Sequence, residues 1–153
     1  MAQNAKKLKL EPFDARDWCL GIVCAQFNNH ITSQLQKSVL VRAKKYGLKV
    51  NNITIAEVAG AIEIPLVLQK LAASGKYQAL VAIGCIIRGE TAHFEYVSQY
   101  VTEGILHVQL DYNIPIAFSV LTCDTEEQAQ ARTWIGGDHL DAALHQARLL
   151  QEI

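Results

Sequence analysis

Hydrophobic positions along this chain switch repeatedly between a strand-like run and a helical spacing. Residues 18–25 are a short apolar run, and 32–46 repeat apolar residues at Leu35, Val39 and Ala43 before Gly47, the pattern of an amphipathic helix with a glycine stop. Residues 53–58 read as a second strand, followed by the link GAIEIP at 60–65 and a helix through Val67, Leu68 and Leu71 to Gly75. Residues 79–87 are almost wholly apolar and rich in β-branched side chains, which predicts a strand covered on both faces. Arg88, Gly89, Glu90 and Thr91 then supply turn and N-cap chemistry, and Phe94, Val97, Val101, Ile105 and Val108 follow at helical spacing. A fourth strand is predicted over 114–121, with Pro115 near its entry. Asp124 and Glu127 have the spacing of a capping box, and 138–151 carry a last helix with Leu140, Ala143, Leu144, Ala147 and Leu150 on one side.

Four strands each followed by a helix predict an α/β fold of three layers, a flavodoxin-like four-stranded, mostly parallel sheet with helices on both faces and right-handed crossovers. Residues 18–153 form one domain in this reading. Residues 1–17 form a polar arm whose alternating piece KKLKL, at 6–10, is suited to a sheet edge before Pro12 stops it.

Composition narrows the function. Half of the 153 residues are hydrophobic and the formal net charge is −1, so a broad basic surface for nucleic acid is not expected. The longest apolar run, 79–87, is far short of the roughly 20 residues that span a bilayer, and no signal-peptide block follows the N-terminal lysines, which points to the cytoplasm. Cys19, Cys24, Cys85 and Cys123 form no CxxC pair and read as reduced thiols in or beside strands. The five histidines have no metal-ligand spacing, so no metal site is expected. No lysine follows Lys76, which excludes a Schiff-base lysine in the second half of the chain.

In sheets of this kind ligands bind beyond the carboxyl ends of the strands. Here those ends read QFNNHIT at 26–32, AGAIEIP at 59–65, CIIRGETAH at 85–93 and AFSVLT at 117–122. They supply an aromatic face at Phe27, a carboxylate at Glu63, an anion-holding turn with His93 in the first turn of its helix, and a second aromatic at Phe118. Arg132 follows on the next helix. The set suits a planar polar heterocycle stacked on an aromatic ring and a small phosphorylated partner. Each residue also has a plainer role: Phe27 and Phe118 as core, Glu63 as dipole stabiliser, Arg132 as a solvated charge.

Taken together, the FN pair with ITS at 27–33, GAIEIP, IRGETAHFEYV at 87–97, IPIAFSVLT and TEEQAQAR at 125–132 make the chain resemble the 6,7-dimethyl-8-ribityllumazine synthase family over about 20–132. The resemblance implies condensation of 5-amino-6-(D-ribitylamino)uracil with 3,4-dihydroxy-2-butanone 4-phosphate, with loss of phosphate and water, the penultimate step of riboflavin biosynthesis. It implies no metal or redox cofactor. By the same resemblance Phe27 stacks on the pyrimidine, Ala61, Ile62 and Glu63 contact the ribityl chain, and backbone at Cys85, Ile86 and Ile87 lines the ring pocket. Glu90 and Thr91 hold phosphate through main-chain N–H groups with Arg132 closing on it, and His93 transfers protons.

The resemblance further implies a homo-oligomer, commonly built of pentamers, in which Phe118 and Arg132 complete a neighbour's pocket and the N-terminal arm pairs with a neighbour's sheet. Riboflavin synthase is a second candidate partner. After Arg132 the pattern departs: TWIGGDHLDAA stands where many relatives carry a lysine-containing stretch resembling AGTKAGNKG, and His139 is the candidate substitute for the phosphate-side lysine. Two other readings are a cysteine hydrolase using Cys85 with His93, and a non-catalytic flavin-binding or shell-forming paralogue.

Overall fold

Strands β1 (Leu20–Ala25), β2 (Ile53–Val58), β3 (Ala79–Ile87) and β4 (Ile116–Cys123) form one sheet in the order β2-β1-β3-β4, every neighbouring pair parallel, in the computed structural model, which describes residues 8–153. Helices α1 (Asn29–Lys45), α2 (Ile64–Ala73), α3 (His93–Tyr112), α4 (Glu126–Gln130) and α5 (Gly136–Glu152) connect and flank it. The sheet is thus wholly parallel, as expected of a flavodoxin-like α/β fold.

Side chains alternate across the strands and build two cores. Leu20, Ile22 and Cys24 of β1 with Val81, Ile83 and Cys85 of β3 pack against Ile31, Leu35 and Val39 of α1 and Leu140 and Leu144 of α5. On the other face Val23, Leu80, Ala82 and Val120 meet Ile64 and Leu68 of α2 and Val101, Ile105 and Val108 of α3. All of β3 except Ile87 is buried, because it lies inside the sheet with helices above and below; this is why 79–87 reads as an unbroken apolar run. Gly136 lets α5 start flush against α1, since a Cβ there would lie 2.7 Å from the Leu35 carbonyl oxygen.

Several boundaries differ from the sequence reading by a few residues, three of them for a clear local reason. Helix α1 begins at Asn29 rather than near 32, because Asn28 adopts the left-handed conformation (φ 59°) and its side chain does not cap the helix. Strand β4 begins at Ile116, since Asn113 is left-handed and the Ile114 N–H still bonds the Gln109 carbonyl of α3. The capping box of α4 is formed by Thr125 and Gln128, one residue later than expected: Asp124 instead accepts from Arg88 Nε at 2.8 Å.

The chain ahead of β1 lies against its own subunit from residue 11 onward. Phe13 meets the rings of Trp18, Tyr46 and His145 edge-on at 5.3, 5.1 and 5.2 Å, and the Ala15 N–H donates to the Tyr46 carbonyl at 2.8 Å. Residues 8–10 form no strand within the subunit, and 6–7 of the expected strand lie outside the described residues.

The α1–α5 contact contains a buried polar knot. The Tyr46 hydroxyl donates to Asp141 Oδ1 at 2.8 Å, and the Arg42 guanidinium bonds both Asp141 and, at 3.2 Å, Asp138. Burial, with the carboxylate beside it, pushes the Tyr46 hydroxyl well above its ordinary pKa, so it stays a donor. Asp141→Ala would strand this hydroxyl and a half-buried guanidinium. We expect it to lower the unfolding free energy by about 2–4 kcal/mol in urea titrations, while Lys37→Ala on the exposed side of α1 stays within about 0.5 kcal/mol of wild type.

Candidate active site

The direction of the chain reverses across the sheet between β1 and β3. From β1 the crossover through α1 runs to β2 on one side, whereas from β3 the crossover through α3 runs to β4 on the other, and α1 and α3 lie on opposite faces. The carboxyl ends of β1 and β3 are therefore not roofed by a common connection, and a cleft of about 390 Å³ opens there.

One wall begins where β1 ends. The Gln26 and Phe27 N–H groups extend the pairing with β2 by bonding the Val58 and Ala59 carbonyls at 2.8 and 2.9 Å. Asn28 then turns left-handed, and its Nδ2 donates to the Cys85 carbonyl at 2.8 Å, tying the end of β1 to β3. This leaves Phe27 with 71% of its surface uncovered in the cleft. The second wall is the short 3-10 turn Ala61–Glu63, where Glu63 Oε2 accepts the Gly60 N–H at 2.9 Å. Cys85, Ile86 and Ile87 contribute the floor, and Gly89, Thr91, His93, Phe94 and Val97 the third wall.

The 88–92 turn is exposed and ends at the N-terminus of a helix 20 residues long, whose free N–H groups and dipole favour an anion. His93 is the first residue of that helix, and its N–H donates to Thr91 Oγ1 at 3.3 Å. Arg88 does not point a free charge into this turn. Its Nε donates to Asp124 Oδ1 at 2.8 Å, it also bonds Glu95, and its guanidinium lies 4.3 Å from the centre of the Phe94 ring. That guanidinium holds the Glu95 carboxyl below the usual carboxylate range.

Of the residues singled out by sequence, the structure brings together Phe27, Ala61, Ile62, Glu63, Cys85, Ile86, Ile87, Thr91 and His93 around one cleft. Glu90 is exposed in the same turn without lining the cleft. Phe118 and Arg132 lie elsewhere. Phe118, 37% exposed on the edge strand β4, borders a different groove with His139, and Arg132 donates from Nη1 to the Gln128 carbonyl at 2.8 Å. His139 Nδ1 lies 2.9 Å from Ser119 Oγ in the groove that Phe118 borders, and burial lowers its pKa, which favours the neutral ring. Sequence reasoning missed Gly60, Phe94 and Val97 as cleft residues. Phe94 and Val97 keep helical core spacing but lie near the open end of α3, so each is only partly buried.

Among the described residues, no cluster of three His, Cys, Asp or Glu side chains could hold a metal, and no helix is long and apolar enough to cross a membrane. Cys85 is 3% exposed, and desolvation, with smaller contributions from Cys123 and Glu126, pushes its thiol up to about 12. A thiolate nucleophile is disfavoured there, which removes the support for a Cys85–His93 hydrolase.

A family model described as 6,7-dimethyl-8-ribityllumazine synthase matches residues 17–151. Two curated relatives named 6,7-dimethyl-8-ribityllumazine synthase, from Coxiella burnetii strains CbuG_Q212 and RSA 493 / Nine Mile phase I, are each 45% identical over 139 residues, covering 88% of this chain and 92% of the relative.

Burial raises the pKa of Cys24 and Cys123 as well as Cys85, so at pH 8 all three stay protonated. Iodoacetamide at that pH is expected to leave these three unmodified in the folded protein, as read by peptide mass mapping; rapid labelling of Cys85 would restore the thiol chemistry excluded above.

Proposed function

The chain belongs to the 6,7-dimethyl-8-ribityllumazine synthase family, and from that premise we propose that it condenses 5-amino-6-(D-ribitylamino)uracil with 3,4-dihydroxy-2-butanone 4-phosphate, as a transferase of riboflavin biosynthesis. The observation that carries this reading is the meeting, across one cleft, of an uncovered aromatic face at Phe27 with a histidine that begins an anion-favouring helix. The pyrimidine stacks on Phe27 above the backbone of Cys85, Ile86 and Ile87, and its ribityl chain runs along Ala61, Ile62 and Glu63. The phosphate sits on the 88–92 turn, held by the N–H groups of Glu90 and Thr91.

The chemistry needs two reactants held together and protons moved. The uracil 5-amino nitrogen attacks the butanone carbonyl, and loss of water gives an imine. Removal of a carbon-bound proton then expels the phosphate, and the ribityl-bearing nitrogen closes the ring with loss of a second water. His93, at the mouth of the cleft beside the phosphate turn, is placed to take and return these protons.

The cleft as one subunit forms it includes the Glu63 carboxylate and no lysine or arginine among its described lining residues. A phosphate bound there lacks a cationic partner. Arg132 and Phe118, both exposed and both outside their own chain's cleft, are in this reading the residues one subunit lends to the next. The working unit is then a homo-oligomer, a pentamer by family resemblance, with residues 8–10 adding to a neighbour's sheet edge. A cytoplasmic location and riboflavin synthase as consumer of the product complete the proposal. No observation favours a non-catalytic flavin-binding or shell-forming paralogue, because such a protein has no need of His93 and the phosphate turn together.

The test is to mix purified protein with both substrates and follow lumazine absorbance against the slow uncatalysed condensation. His93→Ala is expected to lower kcat by about 10²- to 10⁴-fold without abolishing turnover. Arg132→Ala is expected to raise KM for the butanone phosphate and leave KM for the uracil near wild type. No acceleration by a well-folded oligomer would overturn the reading.

A further inference from the structure

Residues 30, 34, 38, 42 and 46 recur at every fourth position along α1 and its C-cap, and each carries a polar side chain bonded to the stretch 126–141. Spacing of i, i+4 sets them in one row on the helix surface. His30 Nε2 lies 2.6 Å from Glu126 Oε1. Gln34 Oε1 accepts from Gln130 Nε2 at 3.0 Å and from Thr133 Oγ1 at 3.3 Å. Ser38 Oγ donates to the Trp134 carbonyl at 2.7 Å and accepts the Gly137 N–H at 3.0 Å. Arg42 and Tyr46 close the row on Asp138 and Asp141.

The part of this stretch on either side of Arg132, 126–135, has little apolar anchorage of its own. Helix α4 is five residues long and buries only Ala129, and the 3-10 turn Thr133–Ile135 buries none of its residues fully. So short a helix does not fix its own geometry. Arg132 lies between α4 and that 3-10 turn, two residues after Gln130 and directly before Thr133, the two residues bonded to Gln34.

We propose that this row is a positioning device for Arg132, and that Gln34 is its central positioning residue, setting where the guanidinium stands to meet the phosphate of the four-carbon substrate. The inference rests on the role given to Arg132 above. Guanidinium and phosphate pair through directed, parallel hydrogen bonds, so a turn free to shift by an ångström loses much of the contact. Gln34 touches neither substrate nor reacting atoms and acts through the side chains of Gln130 and Thr133, which stand on either side of Arg132.

The experiment uses the assembled wild-type enzyme and the variants Gln34→Ala, Thr133→Val, Arg132→Ala and the double variant of Gln34→Ala with Arg132→Ala, with Lys37→Ala as a control off the row. Folding is checked by thermal melting and oligomer size. Loss of the hydrogen bonds from Gln34 to Gln130 and Thr133 is expected to raise KM for 3,4-dihydroxy-2-butanone 4-phosphate about threefold to tenfold. The inhibition constant of inorganic phosphate rises in parallel, while KM for the uracil and kcat stay near wild type. Thr133→Val gives a smaller change of the same kind. With Arg132 already removed, Gln34→Ala has no further effect. Equal shifts in both KM values, or full additivity in the double variant, overturn the proposal and leave the row a structural clasp. If Arg132→Ala by itself alters neither the phosphate-substrate KM nor phosphate inhibition, the role of Arg132 falls first and the positioning role falls with it.

Discussion

The constraint on which the rest depends is the handedness of parallel crossovers. A strand, a helix and a second parallel strand in one sheet connect right-handedly, so the face on which a helix packs fixes the direction in which the sheet grows. Here α1 covers one face and leads from β1 to β2, while α2 and α3 cover the other and lead across to β3 and β4. With the order β2-β1-β3-β4, the departing chains part between β1 and β3. Everything placed in the cleft, Phe27 on one side and the 88–93 turn on the other, is there because of that parting. The Asn28 side chain, spent on the Cys85 carbonyl, then closes the floor without filling the gap.

Helix α1 serves two surfaces at once. Its apolar row of Ile31, Leu35, Val39 and Ala43 is fully buried against the sheet, and burial of that kind, about 25 cal/mol per Å², fixes the helix on the core. The neighbouring polar row, His30 through Tyr46, is offset by one position and faces the chain returning from β4. Apolar packing thereby gives a rigid base, and hydrogen bonds worth about 1 kcal/mol each fix a stretch that hydrophobicity alone leaves loose.

The architecture was legible in the sequence because burial on two faces writes a long signal. The run 79–87 matches β3 at both ends, and the first-turn position of His93 follows from where that run stops. The capping box was misplaced because DTEEQ holds two overlapping frames, Asp124 with Glu127 and Thr125 with Gln128; the choice was made by Arg88, 36 residues away, which takes the Asp124 carboxylate. The polar row on α1 was invisible for the same kind of reason. Gln34 and Ser38 on the flank of an amphipathic helix read as solvent-facing, and their partners lie 96 to 99 residues further along. The cleft residues at strand ends were legible, whereas the separation of Phe118 and Arg132 from that cleft is a matter of tertiary geometry that no local pattern records.

That separation has an electrostatic reading. A phosphate ester carries between one and two negative charges near neutral pH, and the N-terminus of α3 offers the equivalent of roughly half a positive charge, so the turn alone leaves most of the charge uncompensated. Arg88, the arginine within that turn, is already neutralised by Asp124 and Glu95 and braced on Phe94. The subunit therefore builds a cleft with the proposed proton-transfer histidine in one place and carries Arg132, whose guanidinium bonds a carbonyl and not a carboxylate, in another. In the proposed reading neither half is complete in one chain. A pocket that gains its cation only on assembly couples phosphate binding to the oligomer, and any element that sets Arg132, the α1 row among them, then acts on a neighbour's chemistry instead of its own.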